Sequence, residues 1–167
     1  MMTMLMDAEQ WTPGLPADLR QDLGEGALLE LALEAVQTVG ARLSRPLGSD
    51  ERYGPPMLLT LLTYCYASGV YGSEDIAYDC RNDAAVRYLC ANTAPDQETI
   101  RNFRRANREW IEESLAWVYR NACDLKPEAV RRDASPVFAP KVCTADLAGL
   151  VRRRLELAIL FDTAMSD

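Results

Sequence analysis

The feature that most constrains the fold is an unbroken helical pattern over residues 96–122. The segment contains neither Gly nor Pro. Pro95 and Asp96 form a helix-start signal, because the Asp side chain can accept hydrogen bonds from the first free backbone N–H groups. Apolar residues then recur at helical spacing, at Ile100, Phe103, Trp110, Ile111 and Val118. The pattern predicts one long helix that packs a single face on a core.

A row of four arginines accompanies that apolar face. Arg101, Arg104, Arg105 and Arg108 fall at i, i+3, i+4 and i+7. They therefore share one side of a helix, about 110° from the apolar face at ~100° per residue. One guanidinium group can bind two phosphate oxygens at once, and the start of a helix adds backbone N–H donors. Two interpretations stay open: a phosphate-binding surface, or a solvated face paired with acids of neighbouring helices.

Composition restricts the function classes. The 167 residues are 49% hydrophobic, enough for one core, and carry a net charge of -7. That sign is wrong for a protein that binds nucleic acid nonspecifically over its whole surface, so any such site must be a local patch. The chain has no His, and its five cysteines form no C-x-x-C pair. Neither a metal site nor a cofactor is predicted.

The same residues indicate a cytoplasmic location. Dispersed cysteines are typical of a reducing compartment, and Cys65 and Cys90 are expected in the core. The first residues lack the basic and apolar regions of a signal peptide. No segment approaches the ~20 apolar residues of a membrane span, so no membrane contact is expected.

The positions of the helix breakers predict an all-α fold. We expect a compact domain of about six helices, including a helix-turn-helix-like long helix, flanked by extended arms. Residues 57–68 are apolar on nearly every face and are predicted to be the buried central helix. The predicted divisions are an amino-terminal arm at 1–26, a helical domain at 27–123, a Pro-containing linker at 124–143 and a carboxyl-terminal helix at 144–167. Further helices are predicted at 27–40, 73–81 and 84–90, with Ser73, Asp83 and Thr144 as caps.

Four phrases in one order carry a resemblance to a known family. They are an apolar L-L-x-L-L-x-Y-x-Y-x-x-G helix after a Pro (Leu58 to Gly69), a C-R-x-D phrase (Cys80 to Asp83), an A-x-R-x-L-C helix (Ala85 to Cys90) and P-D-x-x-T-I-x-x-F-R-R (Pro95 to Arg105). On these phrases residues 53–119 resemble the amino-terminal domain of InsH-like bacterial insertion-sequence transposases of the DDE class.

The resemblance implies a helical unit that engages the terminal DNA of a mobile element. Carried over onto this sequence, it implies a DNA-facing set: Gln97, Arg101, Asn102, Arg104, Arg105 and Arg108. In the family a catalytic domain follows, usually opening with a strand that bears the first metal-binding Asp in a D-G-T phrase. Residues 123–141 contain no such phrase. We therefore expect no catalysis, because two-metal chemistry needs carboxylates on a rigid scaffold.

Two functions are compatible with these observations. The first is a non-catalytic module that binds duplex DNA through a local arginine patch. The second is a protein-interaction or adaptor module with the same helical fold, favoured by the net charge and by the extra helical segment at each end. A protein partner or a homo-oligomer belongs to the second hypothesis.

Overall fold

The structure is a computed structural model that describes residues 19–42, 53–125 and 147–165. Within these ranges the chain forms eight helices and no strand, which confirms the all-α prediction. The helices are α1 (Leu19–Leu23), α2 (Glu25–Arg42), α3 (Pro55–Ala67), α4 (Ser73–Asn82), α5 (Ala84–Leu89), α6 (Gln97–Ala106), α7 (Arg108–Leu125) and α8 (Leu147–Met165). Most of the predicted arm, most of the predicted linker and the Thr144 cap lie outside the described residues.

Helix α3 is the centre of the core, as its apolar composition predicts. Every side chain from Leu58 to Ala67 is buried, and Leu61 and Leu62 are both 0% exposed. Pro55 occupies the first turn, where its fixed φ suits a helix and its missing N–H costs nothing. Gly69 follows the end of the helix at φ +83°, a conformation that other residues rarely adopt. Local sequence therefore sets both ends of this helix.

The other long helices surround α3. Helices α2 and α7 pack on it and on each other, and α8 packs on α7, α4 and α3. The predicted helix at 27–40 is confirmed as α2, and Leu28, Ala32 and Ala35 on it are fully buried. Cys65 and Cys90 are buried as expected. The helices thus share one core, and α8 belongs to it.

The prediction of one long helix over 96–122 is wrong at Asn107. Helix α6 ends at Ala106 and α7 begins at Arg108, with Asn107 at φ −126° and ψ 32° between them. The buried Asn107 side chain donates to the Phe103 carbonyl at 3.1 Å, and its own backbone N–H donates to the same carbonyl at 3.0 Å. A side-chain amide bonded to the carbonyl four residues earlier tends to bend a helix, which is compatible with the break at this residue.

The amino-terminal arm predicted for 1–26 is helical where it is described. Leu19 is buried in the core, and α1 is joined to α2 through Gly24 at φ +92°. Arg20 donates to the Asp83 carboxylate at 2.7 Å and to Glu25 at 2.6 Å. Residues 19–26 therefore belong to the helical domain.

No helix in the described part of the chain has both the length and the apolar composition needed to cross a bilayer.

Candidate functional site

Helix α6 is held in one orientation by a cap and by two apolar anchors. Asp96 accepts a hydrogen bond from the Thr99 N–H at 2.8 Å, which confirms it as the helix cap. Ile100 and Phe103 lie in the core, at 0% and 4% exposure. Since these residues fix the rotation of the helix, they also fix the direction of its arginines.

The four arginines of the predicted row line one cavity of about 290 Å³. Arg101, Arg104 and Arg105 come from α6 and Arg108 from the start of α7, so the break at Asn107 leaves the row together. The opposite wall belongs to α8 and consists of Leu155, Ile159, Asp162 and Thr163. We call this space the arginine cavity. Four guanidinium groups and a single carboxylate line it among the described residues.

Three of the arginines are accessible to solvent. Arg105 and Arg108 are exposed and Arg101 is half-buried. The Nε of Arg108 lies 3.3 Å from a carboxylate oxygen of Glu112, in a solvent-exposed pair. An exposed pair of this kind contributes little stability, so it leaves the Arg108 guanidinium available to other anions.

Arg104 differs, and the prediction that the whole row lies off the packing face is wrong for it. Its side chain is 5% exposed and its Nη2 lies 2.5 Å from the Asp162 carboxylate. Burial acts to lower the pKa of the Arg104 guanidinium, but the charge interaction with Tyr66 and the contact with Asp162 raise it above its usual value. Helix α8 covers this position, and the spacing of residues within α6 carries no information about such a partner.

Asp162 also binds the start of helix α4. The sequence predicts Ser73 as the cap, yet Ser73 is the first residue of the helix and Gly72 before it offers no side chain. The Ser73 N–H and hydroxyl donate to Asp162 Oδ1 at 2.8 and 2.7 Å. Arg101 Nε donates to the same Ser73 hydroxyl at 3.2 Å. Asp162, which lies on α8, thus caps α4 in place of a residue local to α4.

These contacts set the ionisation of Asp162. Burial acts to raise the pKa of its carboxyl, but the hydrogen bonds from Ser73 and the contact with Arg104 outweigh burial and hold the pKa below its usual range. The carboxylate is therefore charged at neutral pH. The sequence prediction missed Asp162, although an acid on the apolar side of a helix is a signal that such a residue has a buried partner.

The two remaining residues of the predicted DNA-facing set lie apart from the cavity lining. Gln97 lines a second groove of about 470 Å³ on the other side of the start of α6, together with Tyr78, Arg81 and Asp96. Asn102 is exposed on α6. The structure thus brings the four arginines together and leaves the two amides outside their cavity.

The chemistry available at the cavity is anion binding. Its polar lining consists of guanidinium groups, one carboxylate and the Thr163 hydroxyl. Among the described residues, no group of three or more His, Cys, Asp or Glu side chains is placed to hold a metal ion.

Comparison with known families identifies part of the chain. The transposase domain DUF772 matches residues 26–106, which run from the start of α2 to the end of α6. The match confirms the resemblance to a transposase amino-terminal domain and adds α2 to it. No curated protein and no solved structure matches the chain.

Proposed function

Because residues 26–106 are a transposase domain, we propose that this protein is a DNA-binding module that holds the phosphate backbone of duplex DNA at the arginine cavity. The observation that supports the proposal is the collection of four arginines around one cavity whose lining includes a single carboxylate. The local charge is positive on a chain whose net charge is -7.

The accessible arginines are the proposed contacts. Arg101, Arg105 and Arg108 present forks that can each bind a phosphate oxygen pair, which suits the regular backbone of a duplex. Gln97 and Asn102 are proposed as flanking contacts, since amides on an exposed helix can reach base edges. Arg104 is buried, and in this proposal it supports the cavity wall while it is paired with Asp162.

The proposed module binds DNA without cutting it. Strand cleavage by the two-metal route needs carboxylates that gather divalent ions, whereas the proposed site is built of cationic groups. Purified protein supplied with Mg²⁺ or Mn²⁺ should leave supercoiled and linear DNA unchanged. Metal-dependent cleavage that persists in a homogeneous preparation would contradict this part of the proposal.

Salt-dependent binding tests the proposal directly. If three arginines each neutralise one phosphate, the logarithm of the affinity falls against the logarithm of the salt concentration with a slope of about −3. The measurement is fluorescence anisotropy of a labelled duplex at several salt concentrations. The duplexes are a set of random sequences and, where the source genome supplies them, the ends of a mobile element.

Single substitutions locate the contact. Arg105→Ala should weaken binding and make the slope shallower by about 0.9, because one phosphate contact is lost. Arg87→Ala is the matched control, since Arg87 is also exposed but lies on α5 and does not line the cavity. Equal effects of the two substitutions would mean that only the overall charge matters, and would overturn the proposed site.

One observation favours the alternative, a protein-interaction module. Helix α8 exposes three consecutive large apolar side chains, Ile159, Leu160 and Phe161, at 39%, 62% and 46%. An apolar group next to a cationic cavity would suit an amphipathic acidic partner. In the anisotropy experiment this alternative predicts no salt-dependent binding to any duplex.

A further inference from the structure

The contacts of Asp162 have the form of an occupied anion site. Its carboxylate accepts from a backbone N–H and a hydroxyl of Ser73 and lies against the Arg104 guanidinium. Arg101 Nε in turn donates a hydrogen bond to the Ser73 hydroxyl. A helix start, a hydroxyl and arginine side chains are the donors that proteins use to hold phosphate oxygens. Asp162 is only 7% exposed, so water has little access to this contact.

The donors of this site include an N–H group of Arg104 that the Asp162 carboxylate does not accept from. Arg104 is 5% exposed and interacts with Tyr66 as well as with Asp162, and its Nη1 has no well-aligned hydrogen bond in the part of the chain that the structure describes. A buried donor without an acceptor carries an energetic cost, which a ligand with more acceptor oxygens than a carboxylate would remove. A phosphate group has such oxygens. A phosphate is therefore a chemically suitable occupant of the site that the carboxylate fills.

The donors and the carboxylate come from different parts of the chain. Ser73, Arg101 and Arg104 lie inside the matched transposase domain, whereas Asp162 lies on α8, beyond the last matched residue at 106. The domain thus supplies the anion site, and a segment outside the domain supplies the anion.

We infer that Ser73, Arg101 and Arg104 form a binding site for one backbone phosphate of DNA, and that Asp162 occupies this site in the state described here. The inference rests on the proposed function and deepens it. Helix α8 also forms the wall of the arginine cavity through Leu155 and Ile159. A phosphate that enters the site must displace Asp162, so DNA binding and the docking of α8 oppose each other.

Asp162→Asn tests the competition. The substitution removes the negative charge and keeps the size of the side chain, so α8 should dock less tightly and DNA should bind about fivefold more tightly or better. The salt slope should become steeper by about 0.9, because the Arg104 guanidinium, no longer paired with a carboxylate, then neutralises one phosphate in addition to those of the other three arginines. Glu156→Gln is the matched control, since it removes an exposed acid from the same helix. Equal affinities of Asp162→Asn and wild type would overturn the inference.

A reversible disulfide tests the same idea without removing the carboxylate. A Cβ atom built at Gly72 would lie 3.8 Å from the Cβ of Phe161, which is the usual Cβ separation in a disulfide. Gly72 has φ −68°, which Cys adopts without strain. The nearest obstacle is the exposed Asp75 carboxylate at 3.1 Å, which can rotate away.

The double variant Gly72→Cys/Phe161→Cys should therefore lock α8 over the site when oxidised. We expect the oxidised form to bind duplex DNA about fivefold less tightly or worse than the reduced form. The two single variants, treated with the same oxidant, control for the native cysteines and for the loss of the Phe161 ring. Equal binding by the oxidised and reduced double variant would overturn the inference even if Asp162→Asn does not fold.

The outcomes separate this inference from the proposed function. Wild-type binding that Arg105→Ala weakens, with no response to Asp162→Asn or to the disulfide, overturns the inference and leaves the proposed function intact. An absence of salt-dependent DNA binding by all of these proteins overturns both.

Discussion

The two ends of the described chain attach to residues 26–106, the region that matches a transposase domain, through charge pairs of opposite polarity. At the amino-terminal end, Arg20 on α1 reaches the Asp83 carboxylate inside the domain. At the carboxyl-terminal end, Asp162 on α8 reaches the Arg104 guanidinium inside it. The first pair is partly exposed, at 32% and 19% of its side chains, and the second is buried, at 5% and 8%.

The two pairs differ in what the residue inside the domain, Asp83 or Arg104, does apart from binding its partner. Asp83 caps α5 by itself, accepting from the Ala85 and Val86 N–H groups at 3.0 and 3.2 Å. Arg20 therefore adds to a carboxylate that is already in use. Helix α4 has no cap of its own, and Arg104 has no other acid within bonding distance among the described residues. The carboxyl-terminal end thus completes a part of the domain, whereas the amino-terminal end only reinforces one.

The largest effect is expected at the buried pair. Asp162→Ala leaves Arg104 as a buried charge without its partner, which costs about 3–5 kcal/mol of unfolding free energy. Urea unfolding followed by circular dichroism measures the loss. Adding Arg104→Met to the variant should recover part of it, because replacing both members of a buried pair by apolar groups is much less costly. A loss below about 1 kcal/mol for Asp162→Ala would show that α8 is not held by this contact.

Acid should weaken the carboxyl-terminal attachment to a smaller extent. The pKa of Asp162 is lowered in the folded protein, so its contribution is fully present above the unfolded value of about 3.9 and is lost as the pH falls through the folded value. The loss is smaller than that of Asp162→Ala, since a protonated carboxyl still accepts from Ser73. The measurement is the unfolding free energy of wild type and Asp162→Asn from about pH 7 to about pH 3. A constant difference between the two proteins over that range would contradict the assignment.

The sequence predicts the elements whose causes are local. Residues 57–68 are apolar on nearly every face, which predicts a central helix, as α3 is. Asp83 and Asp96 precede helices and cap them through their own neighbours within three residues. These interactions join residues that are close in sequence, so spacing and residue type suffice to predict them.

The sequence does not predict the contacts that join distant segments. In the last helix the apolar Phe161 is 46% exposed while the charged Arg154 and Asp162 are buried. Arg154 is buried because it donates to the Tyr71 hydroxyl at 2.7 Å, and Asp162 because it binds Ser73 and Arg104. A charged residue can face a core once its partner lies there. Helical periodicity, which counts charged residues as exposed, misses such pairs.

The candidate site follows the same division. The collection of the four arginines was predictable from their spacing, and they do line one cavity. Their unequal burial was not predictable, since α8 covers Arg104 and leaves Arg105 exposed. That inequality separates an arginine that holds the structure from arginines that can contact a ligand.

The smallest effects are expected at the amino-terminal pair, and they should be unequal. Asp83→Ala removes both the cap of α5 and the partner of Arg20, at a cost of about 1–2 kcal/mol. Arg20→Gln removes only the partly exposed pair and should cost about 0–1 kcal/mol, because the cap remains. Urea unfolding of the two variants measures both losses, and Arg87→Gln controls for the removal of an exposed arginine. If Arg20→Gln cost as much as Asp83→Ala, the cap would contribute nothing and α1 would be an essential part of the fold. The contrast between an end that reinforces the domain and an end that completes it would then no longer hold.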